Sequence, residues 1–173
     1  MSASLPYRPC FTRSARNGLI AGLLLSATLV PFLATDSHSA EPADLLQEFN
    51  RAQLIIDSSS RGCILFDIYI ANSSKQRSQG LMFIRAMGEF EGMLFIYSQP
   101  AEISMWMKNT LIPLDMLFID SQLEVAVIHR DATPLSTDII SSGVPVNGVL
   151  ELNGGSADKF GIKPGDRIMF PAG

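Results

Sequence analysis

One stretch of the chain, residues 105–115, concentrates the side-chain types that bind polar molecules. It holds the only Trp, a Lys, an Asn and an Asp within apolar, strand-like sequence. If residues 102–108 are extended, successive side chains point to opposite faces. One face then carries Glu102, Ser104, Trp106 and Lys108, and the other carries Ile103, Met105 and Met107. An aromatic ring beside a cation is typical of a site for a saccharide or a carboxylate.

The same pattern also has a purely structural interpretation. Trp106 would then cap one end of a barrel, while Lys108 would lie along apolar surface or pair with an acid. Asn109 and Thr110 are equally ambiguous, because short polar side chains either contact a ligand or hydrogen-bond the backbone of a turn. The sequence leaves these alternatives open.

Two carboxylates are candidates for chemistry. Asp115 lies in apolar sequence, and an unpaired buried carboxylate is costly, so it requires a partner. The candidate partners are Lys108, Arg77 and Arg85. Glu151 alternates with two Leu residues and points away from their face, which allows it to share a cavity with Trp106. Asp115 and Glu151 in one cavity would suit general acid–base catalysis, although structural ion pairs use the same residue types.

The predicted ligand-binding residues are therefore Trp106, Lys108, Asn109, Asp115, Glu151 and Arg77. Arg77 is included because an arginine on a helix either binds an anion or pairs with an acid. No catalytic residue is predicted; if the protein is an enzyme, Asp115 and Glu151 are the candidates. We expect neither a metal nor a cofactor, because residues 41–173 hold one His and one Cys and no glycine-rich phosphate loop.

The first 40 residues have the pattern of a secretory signal peptide. Arg8, Arg13 and Arg16 precede an apolar run over 18–34, and small polar residues follow it. The run also reaches the lower length limit of a membrane-spanning helix, so an uncleaved anchor is the alternative. We therefore expect an exported protein, either periplasmic or secreted.

The part that follows the leader is acidic. Residues 41–173 hold 10 Lys and Arg against 16 Asp and Glu, a net charge of −6. Nucleic acid requires a basic surface and anionic lipid repels an acidic one, so neither is an expected partner. We expect a small polar ligand or an envelope protein instead, with membrane contact only if the leader stays uncleaved. Cys63 lies in an alternating apolar run and is expected to be a small buried side chain.

Residue patterns beyond the leader predict a single, mostly β domain over 61–173, preceded by a linker or short helix over 41–60. Alternation and turn residues predict about seven short strands, with separate strands over 92–97 and 102–108. This number favours a small barrel or sandwich. Helical segments are expected over 74–83 and 156–161, and a long loop over 130–145. Gly80 indicates close packing of another element, and Pro164-Gly165 predicts a type II turn.

Five motifs in register give the sequence a resemblance to a known family. They are Gly-Leu-Met at 80–82, Gly-Met-Leu-Phe at 92–95, Trp-Met-Lys-Asn-Thr at 106–110 with Pro-Leu-Asp at 113–115, Val-Leu-Glu-Leu-Asn at 149–153 with Gly155, and Gly-Ile-Lys-Pro-Gly-Asp at 161–166. Over residues 61–171 the chain resembles the domain of unknown function 192 family, also called uncharacterised ACR. The resemblance implies a small, mostly β domain, often behind a signal sequence, without an established activity. Ile84 stands where the family usually has Arg.

These observations support three hypotheses about function. The first is an exported binding or accessory module for a small polar ligand. The second is a hydrolase or lyase acting on polysaccharide, which requires Asp115 and Glu151 in one cleft, roughly 5 to 10 Å apart. The third is a scaffold for another protein, which predicts an exposed apolar patch near residues 130–145.

Overall fold

A computed structural model describes residues 46–171. They form seven strands and two short helices, in the order β1–β2–α1–β3–β4–β5–β6–α2–β7. The strands are β1 Asn50–Ser58, β2 Gly62–Ala71, β3 Glu91–Met105, β4 Leu114–Ile119, β5 Val125–Ala132, β6 Ile140–Asn153 and β7 Arg167–Met169; the helices are α1 Ser74–Gln79 and α2 Ser156–Lys159. The predicted signal peptide over 1–40 lies outside the described residues.

All seven strands belong to one curled sheet, in the order β5-β4-β6-β3-β2-β1-β7. Every pairing is antiparallel except that of β2 with β3, which α1 connects. The right-handed twist of the strands curves the sheet into a half-barrel. The prediction of a mostly β, barrel-like domain with about seven strands is confirmed.

The two ends of the sheet meet at one corner of the half-barrel. Glu124, just before β5, forms a backbone bridge with Arg167 of β7, and the two side chains form a 3.0 Å ion pair. The Ile168 N–H also donates to the Leu123 carbonyl at 2.8 Å. Since β7 pairs with β1 on its other side, this short strand links both ends of the sheet.

Two apolar layers pack against opposite faces of the sheet. The inner core receives side chains from all seven strands and from the α2 region: Leu54, Ile56, Phe66, Ile68, Leu94, Leu117, Ile119, Val125, Leu150, Leu152, Ala157, Ile162 and Ile168. The outer core lies on the other face: Leu46, Phe49, Ala71, Leu81, Ile84, Met93, Phe95, Ile103, Met107, Leu114, Met116, Phe118, Ala132, Val146 and Val149. The central strands are therefore buried on both faces, and a polar side chain there requires a specific explanation.

The domain begins earlier than the sequence predicts. Residues 50–58, predicted as part of a linker or short helix, form β1 and pair with β2 along its length. Leu54 and Ile56 enter the inner core. The polar residues Arg51 and Gln53 gave this segment the composition of a linker, but they occupy the less buried positions of the strand.

Two other boundaries differ from the prediction. The long loop expected over 130–145 shrinks to 133–139, because β5 and β6 extend into it from both sides. The two strands expected over 92–97 and 102–108 are one strand, β3, with a register shift between Ile96 and Ala101. Pro100 lies inside the shifted part, where its missing N–H removes one ladder hydrogen bond.

Cys63 is exposed rather than buried, which corrects the prediction. The residues of β2 that enter the inner core are Phe66 and Ile68. Since side chains alternate along a strand, the odd-numbered Cys63 faces the other side.

Helix α1 is short because its two ends are fixed by side chains and backbone. Ser73 accepts from the Gln76 N–H at 3.2 Å, and the Gln76 side chain accepts from the Ser73 N–H at 3.1 Å, which is a capping box. Gly80 ends the helix with a φ of 50°. A Cβ at this position would lie 3.1 Å from Cζ of Phe95. The close packing predicted from this glycine is therefore confirmed.

Replacing Gly80 with Ala should lower the free energy of unfolding by about 2 to 3 kcal/mol. Its backbone angles, φ 50° and ψ −140°, belong to a region that residues other than Gly rarely adopt, and the contact with Phe95 adds to that strain. Gly143→Ala is the matched control, since Gly143 has a φ of 63° and a Cβ added there would meet nothing within 4 Å. The free energy of unfolding of Gly143→Ala should fall by only about 1 kcal/mol. Urea denaturation measures both, and equal losses would show that the Phe95 contact does not matter.

Candidate functional site

The residues after β3 form a tight turn over 107–110. The Thr110 N–H donates to the Met107 carbonyl at 3.0 Å, and Asn109 adopts a φ of 59°, a conformation that Asn tolerates better than most residues. The Asn109 amide nitrogen contacts the sulfur of Met82 at 3.7 Å. Of the two interpretations of Asn109, the structure supports the turn.

Trp106 precedes this turn and Lys108 lies within it, and both side chains are exposed. The Lys108 Nζ lies 5.3 Å from the centroid of the Trp106 ring, and the Trp is 47% exposed. No carboxylate among residues 46–171 forms an ion pair with Lys108. The contact with the ring fits one form of the structural interpretation, in which Lys108 lies along apolar surface. Because both side chains are exposed, the same pair is also accessible to a ligand.

Arg77 reaches the same region from α1. Its Nη1 donates to the carbonyls of Asn72 at 2.7 Å and Ile96 at 3.1 Å, and its guanidinium lies 5.2 Å from the centroid of the Tyr97 ring. These contacts fix the direction of the side chain but leave its charge uncompensated, because the acceptors are neutral. Among residues 46–171, no acid pairs with Arg77.

Glu151 lies in the middle of β6, between Met93 of β3 and Met116 of β4. It is 4% exposed, and no described residue forms a hydrogen bond or ion pair with its carboxyl group. Burial raises the pKa of this carboxyl to about 8, so the group is protonated at neutral pH. As the alternation predicted, Glu151 faces away from the inner core.

A cavity of about 110 Å³ lies between α1, the turn and β6. It is lined by four of the six predicted binding residues, Arg77, Trp106, Lys108 and Glu151. Neither Asn109 nor Asp115 contributes to its lining. The structure therefore brings together two cations, an aromatic ring and a buried acid from separate parts of the chain.

Further lining residues were not predicted. They include Tyr97, Ser104, Thr110 and the segment 80–82. The segment 80–82 carried a signal, because it is one of the five motifs behind the family resemblance. Tyr97 carried none, since it ends an apolar strand. Burial is the largest influence on its hydroxyl and raises its pKa above the ordinary 10.0, and nearby Glu151 acts in the same direction while Arg77 opposes it.

Asp115 lies elsewhere, which corrects its assignment to the site. It pairs with Leu152 across the sheet, whereas Glu151 pairs with Met116, so the two carboxyl groups face opposite sides. Its carboxylate accepts backbone hydrogen bonds from three distant residues: Asp131 at 2.8 Å, Gly155 at 3.2 Å and Ala157 at 2.7 Å. None of the expected partners, Lys108, Arg77 and Arg85, pairs with it. Because α2 has no side-chain cap of its own, Asp115 provides one.

This arrangement limits the chemistry that the cavity can perform. A sheet separates Glu151 from Asp115, so the two cannot act as an acid–base pair on one substrate. Within residues 46–171, no three His, Cys, Asp or Glu side chains come close enough to hold a metal ion. The same residues contain no helix of the length and hydropathy needed to cross a membrane.

Comparison with known proteins identifies the family. The model of DUF192, described as uncharacterised ACR, matches residues 55–170. The chain belongs to the DUF192 family. The match begins within β1, in agreement with the earlier domain boundary seen in the structure. No curated protein matches the chain.

Two solved structures resemble this DUF192 member. A protein from Sinorhizobium meliloti 1021, described as a candidate transcription regulator, is 40% identical, with a TM-score of 0.69 over 70% of this chain and 95% of that one. A protein of unknown function from Novosphingobium aromaticivorans DSM 12444 is 31% identical, with a TM-score of 0.69 over 79% of this chain and 93% of that one.

The family motifs divide between the cavity and the framework around it. Motifs 80–82, 92–95, 106–110 and 149–153 contribute lining residues. Motif 161–166 contains the predicted turn, in which Gly165 has a φ of 91° and the Asp166 N–H donates to the Lys163 carbonyl at 3.1 Å. The DUF192 position expected to hold Arg is Ile84, which is buried in the outer core. That residue supports the fold and does not line the cavity.

Proposed function

We propose that this DUF192 member is an exported binding or accessory module whose cavity takes a polar group of a small ligand, either a saccharide or a carboxylate. The observation that carries the proposal is the buried Glu151 carboxyl, which faces the cavity and has no partner among residues 46–171. Burial of a carboxyl group is costly, and a hydrogen bond from a bound polar group would offset part of that cost. Export is inferred from the sequence of residues 1–40.

The size of the cavity indicates that it encloses only part of the ligand. Its volume of about 110 Å³ is below the roughly 300 Å³ at which pockets for whole drug-sized ligands begin. One polar group would enter, and the remainder of the ligand would lie against the exposed ring of Trp106. This division of roles is typical of saccharide and carboxylate recognition, in which an aromatic ring stacks and a few polar groups give orientation.

Ligand-dependent stabilisation tests this proposal. The thermal midpoint of the purified chain should rise with at least one of glucose, galactose, glucuronate, acetate and lactate, because a ligand that binds only the folded state stabilises it, by about 2.7 kcal/mol at 100 times its Kd. Lys108→Ala and Trp106→Ala should abolish the shift. Lys163→Ala, which replaces an exposed lysine outside the cavity, should retain it. A panel with no effect on the parent chain would contradict the proposal.

A second candidate is a scaffold that binds another protein near the loop 133–139. Three apolar side chains in or beside this loop are strongly exposed: Leu135 at 60%, Ile139 at 65% and Val144 at 41%. Exposed apolar groups that occur together favour a protein contact. The double variant Leu135→Ser, Ile139→Ser separates the two functions, since it should leave ligand stabilisation unchanged and abolish any partner binding.

A further inference from the structure

The charges that line the cavity do not balance at neutral pH. Arg77 and Lys108 both line it, and neither has an acidic partner among residues 46–171. The acidic side chain that lines the cavity is Glu151, and burial keeps it in its neutral form by raising its pKa to about 8. Two positive charges therefore border a small, partly open cavity whose lining carries no described negative charge at neutral pH.

The groups around Glu151 do not change this balance. On β3 its neighbours are Met93 and, further along the strand, Tyr97, whose hydroxyl stays neutral because its pKa is raised. On β4 its neighbour is Met116, and the adjacent Asp115 faces the opposite side of the sheet. The remaining lining residues are all uncharged: 78–82, Phe95, 104–106 and Thr110. A bound anion would supply the negative charge that the described lining lacks.

We infer that the cavity binds the carboxylate of a small organic acid, with protonated Glu151 donating a hydrogen bond to one oxygen and Lys108 and Arg77 compensating its charge. This inference rests on the function proposed above and narrows its ligand class. A neutral carboxyl group is both a donor and an acceptor, which suits a carboxylate oxygen that only accepts. The hydrogen bond between the two is charge-assisted and therefore among the stronger kinds.

The structure favours this ligand over a neutral sugar and over a phosphate. A sugar hydroxyl would satisfy Glu151 but would leave both cations uncompensated. A phosphate carries more charge and more oxygens, and it needs more of the space in a cavity of about 110 Å³. The buried Glu151 carboxyl can donate one hydrogen bond there, which matches a carboxylate oxygen. A carboxylate satisfies both the charge and the hydrogen-bond requirements of the site.

Calorimetric titration at two pH values tests the inference. Acetate and glucuronate should bind the parent chain at pH 6.5 and about tenfold more weakly at pH 9, because binding requires the protonated form of a group with a pKa of about 8. Glu151→Gln keeps a donor and cannot ionise, so it should bind with similar affinity at both pH values. Lys108→Gln should lower the affinity for acetate at least fivefold at pH 6.5. It should keep the tenfold difference in affinity between the two pH values.

Other outcomes would overturn the inference in distinguishable ways. Binding of glucose without acetate would refute the carboxylate and leave the proposed polar-ligand function intact. Inorganic phosphate binding more tightly than acetate would assign the cavity to a different anion. Acetate affinity that is unchanged between pH 6.5 and pH 9 would exclude a donor role for Glu151. If no member of the panel binds, the proposed function fails together with the inference.

Discussion

Glu151→Gln should make the protein more stable at pH 8 by roughly 4 kcal/mol, and the gain should vanish near pH 4.5. In the unfolded chain a Glu ionises near its ordinary pKa of 4.5, whereas burial raises the folded pKa to about 8. Below pH 4.5 both states are protonated and the carboxyl has no effect on stability. Between these pKa values only the unfolded state loses the proton, so the parent chain loses about 1.4 kcal/mol per pH unit until the loss levels off above pH 8.

Urea denaturation at pH 4.5, 6.5 and 8.5 measures this difference. Gln has nearly the shape of Glu and does not ionise, so the stability of the variant should not show this decline. Glu102→Gln is the matched control, since Glu102 is exposed on β3 and surface substitutions change stability by less than about 0.5 kcal/mol. Parallel pH profiles for the parent and Glu151→Gln would show that burial does not raise the pKa of the Glu151 carboxyl in the folded protein.

Asp115→Ala should lower the free energy of unfolding by about 3 to 5 kcal/mol, an effect comparable with the loss of a buried ion-pair partner. The substitution removes the acceptor for three backbone N–H groups, those of Asp131, Gly155 and Ala157. Each donor that stays buried without an acceptor costs about 1 to 3 kcal/mol. Two of these donors are partly exposed to water, so the loss of unfolding free energy should be smaller than the sum of three full costs.

Two further variants allow the stability loss of Asp115→Ala to be compared with smaller expected losses. Asp115→Asn keeps one acceptor oxygen, so its free energy of unfolding should fall by about half as much as that of Asp115→Ala. Asp158→Ala removes an exposed carboxylate from α2, where it forms a surface ion pair with Arg130 at 3.0 Å. Such pairs contribute about 0 to 1 kcal/mol. A loss for Asp115→Ala no larger than that for Asp158→Ala would refute its role in holding α2 to the sheet.

The sequence predicted those parts of the site that depend on local alternation. The faces assigned over 102–108 agree with the burial of Ile103 and Met107 and the exposure of Trp106 and Lys108. Glu151 likewise turns away from the inner core, as its place between two Leu residues required. Strand periodicity extends over a few residues and can be read without knowing the fold.

The sequence did not predict what depends on long-range pairing. The three donors to Asp115 lie 16, 40 and 42 residues away along the chain, and no local pattern indicates them. The sequence therefore suggested a charged partner, whereas the structure supplies backbone N–H groups. The separation of Asp115 from Glu151 has a similar origin, because it depends on the register between β4 and β6. A shift of one residue would place both on the same face.

The three-residue strand β7 has a consequence for how the fold is completed. It is the last of the described strands, yet it pairs with β1 and contacts the residues before β5. Until it docks, both margins of the sheet expose unpaired backbone groups, which are templates for pairing with another chain. Any state in which β7 is undocked is thus open to self-association, and the docking of Ile168 protects the half-barrel against it.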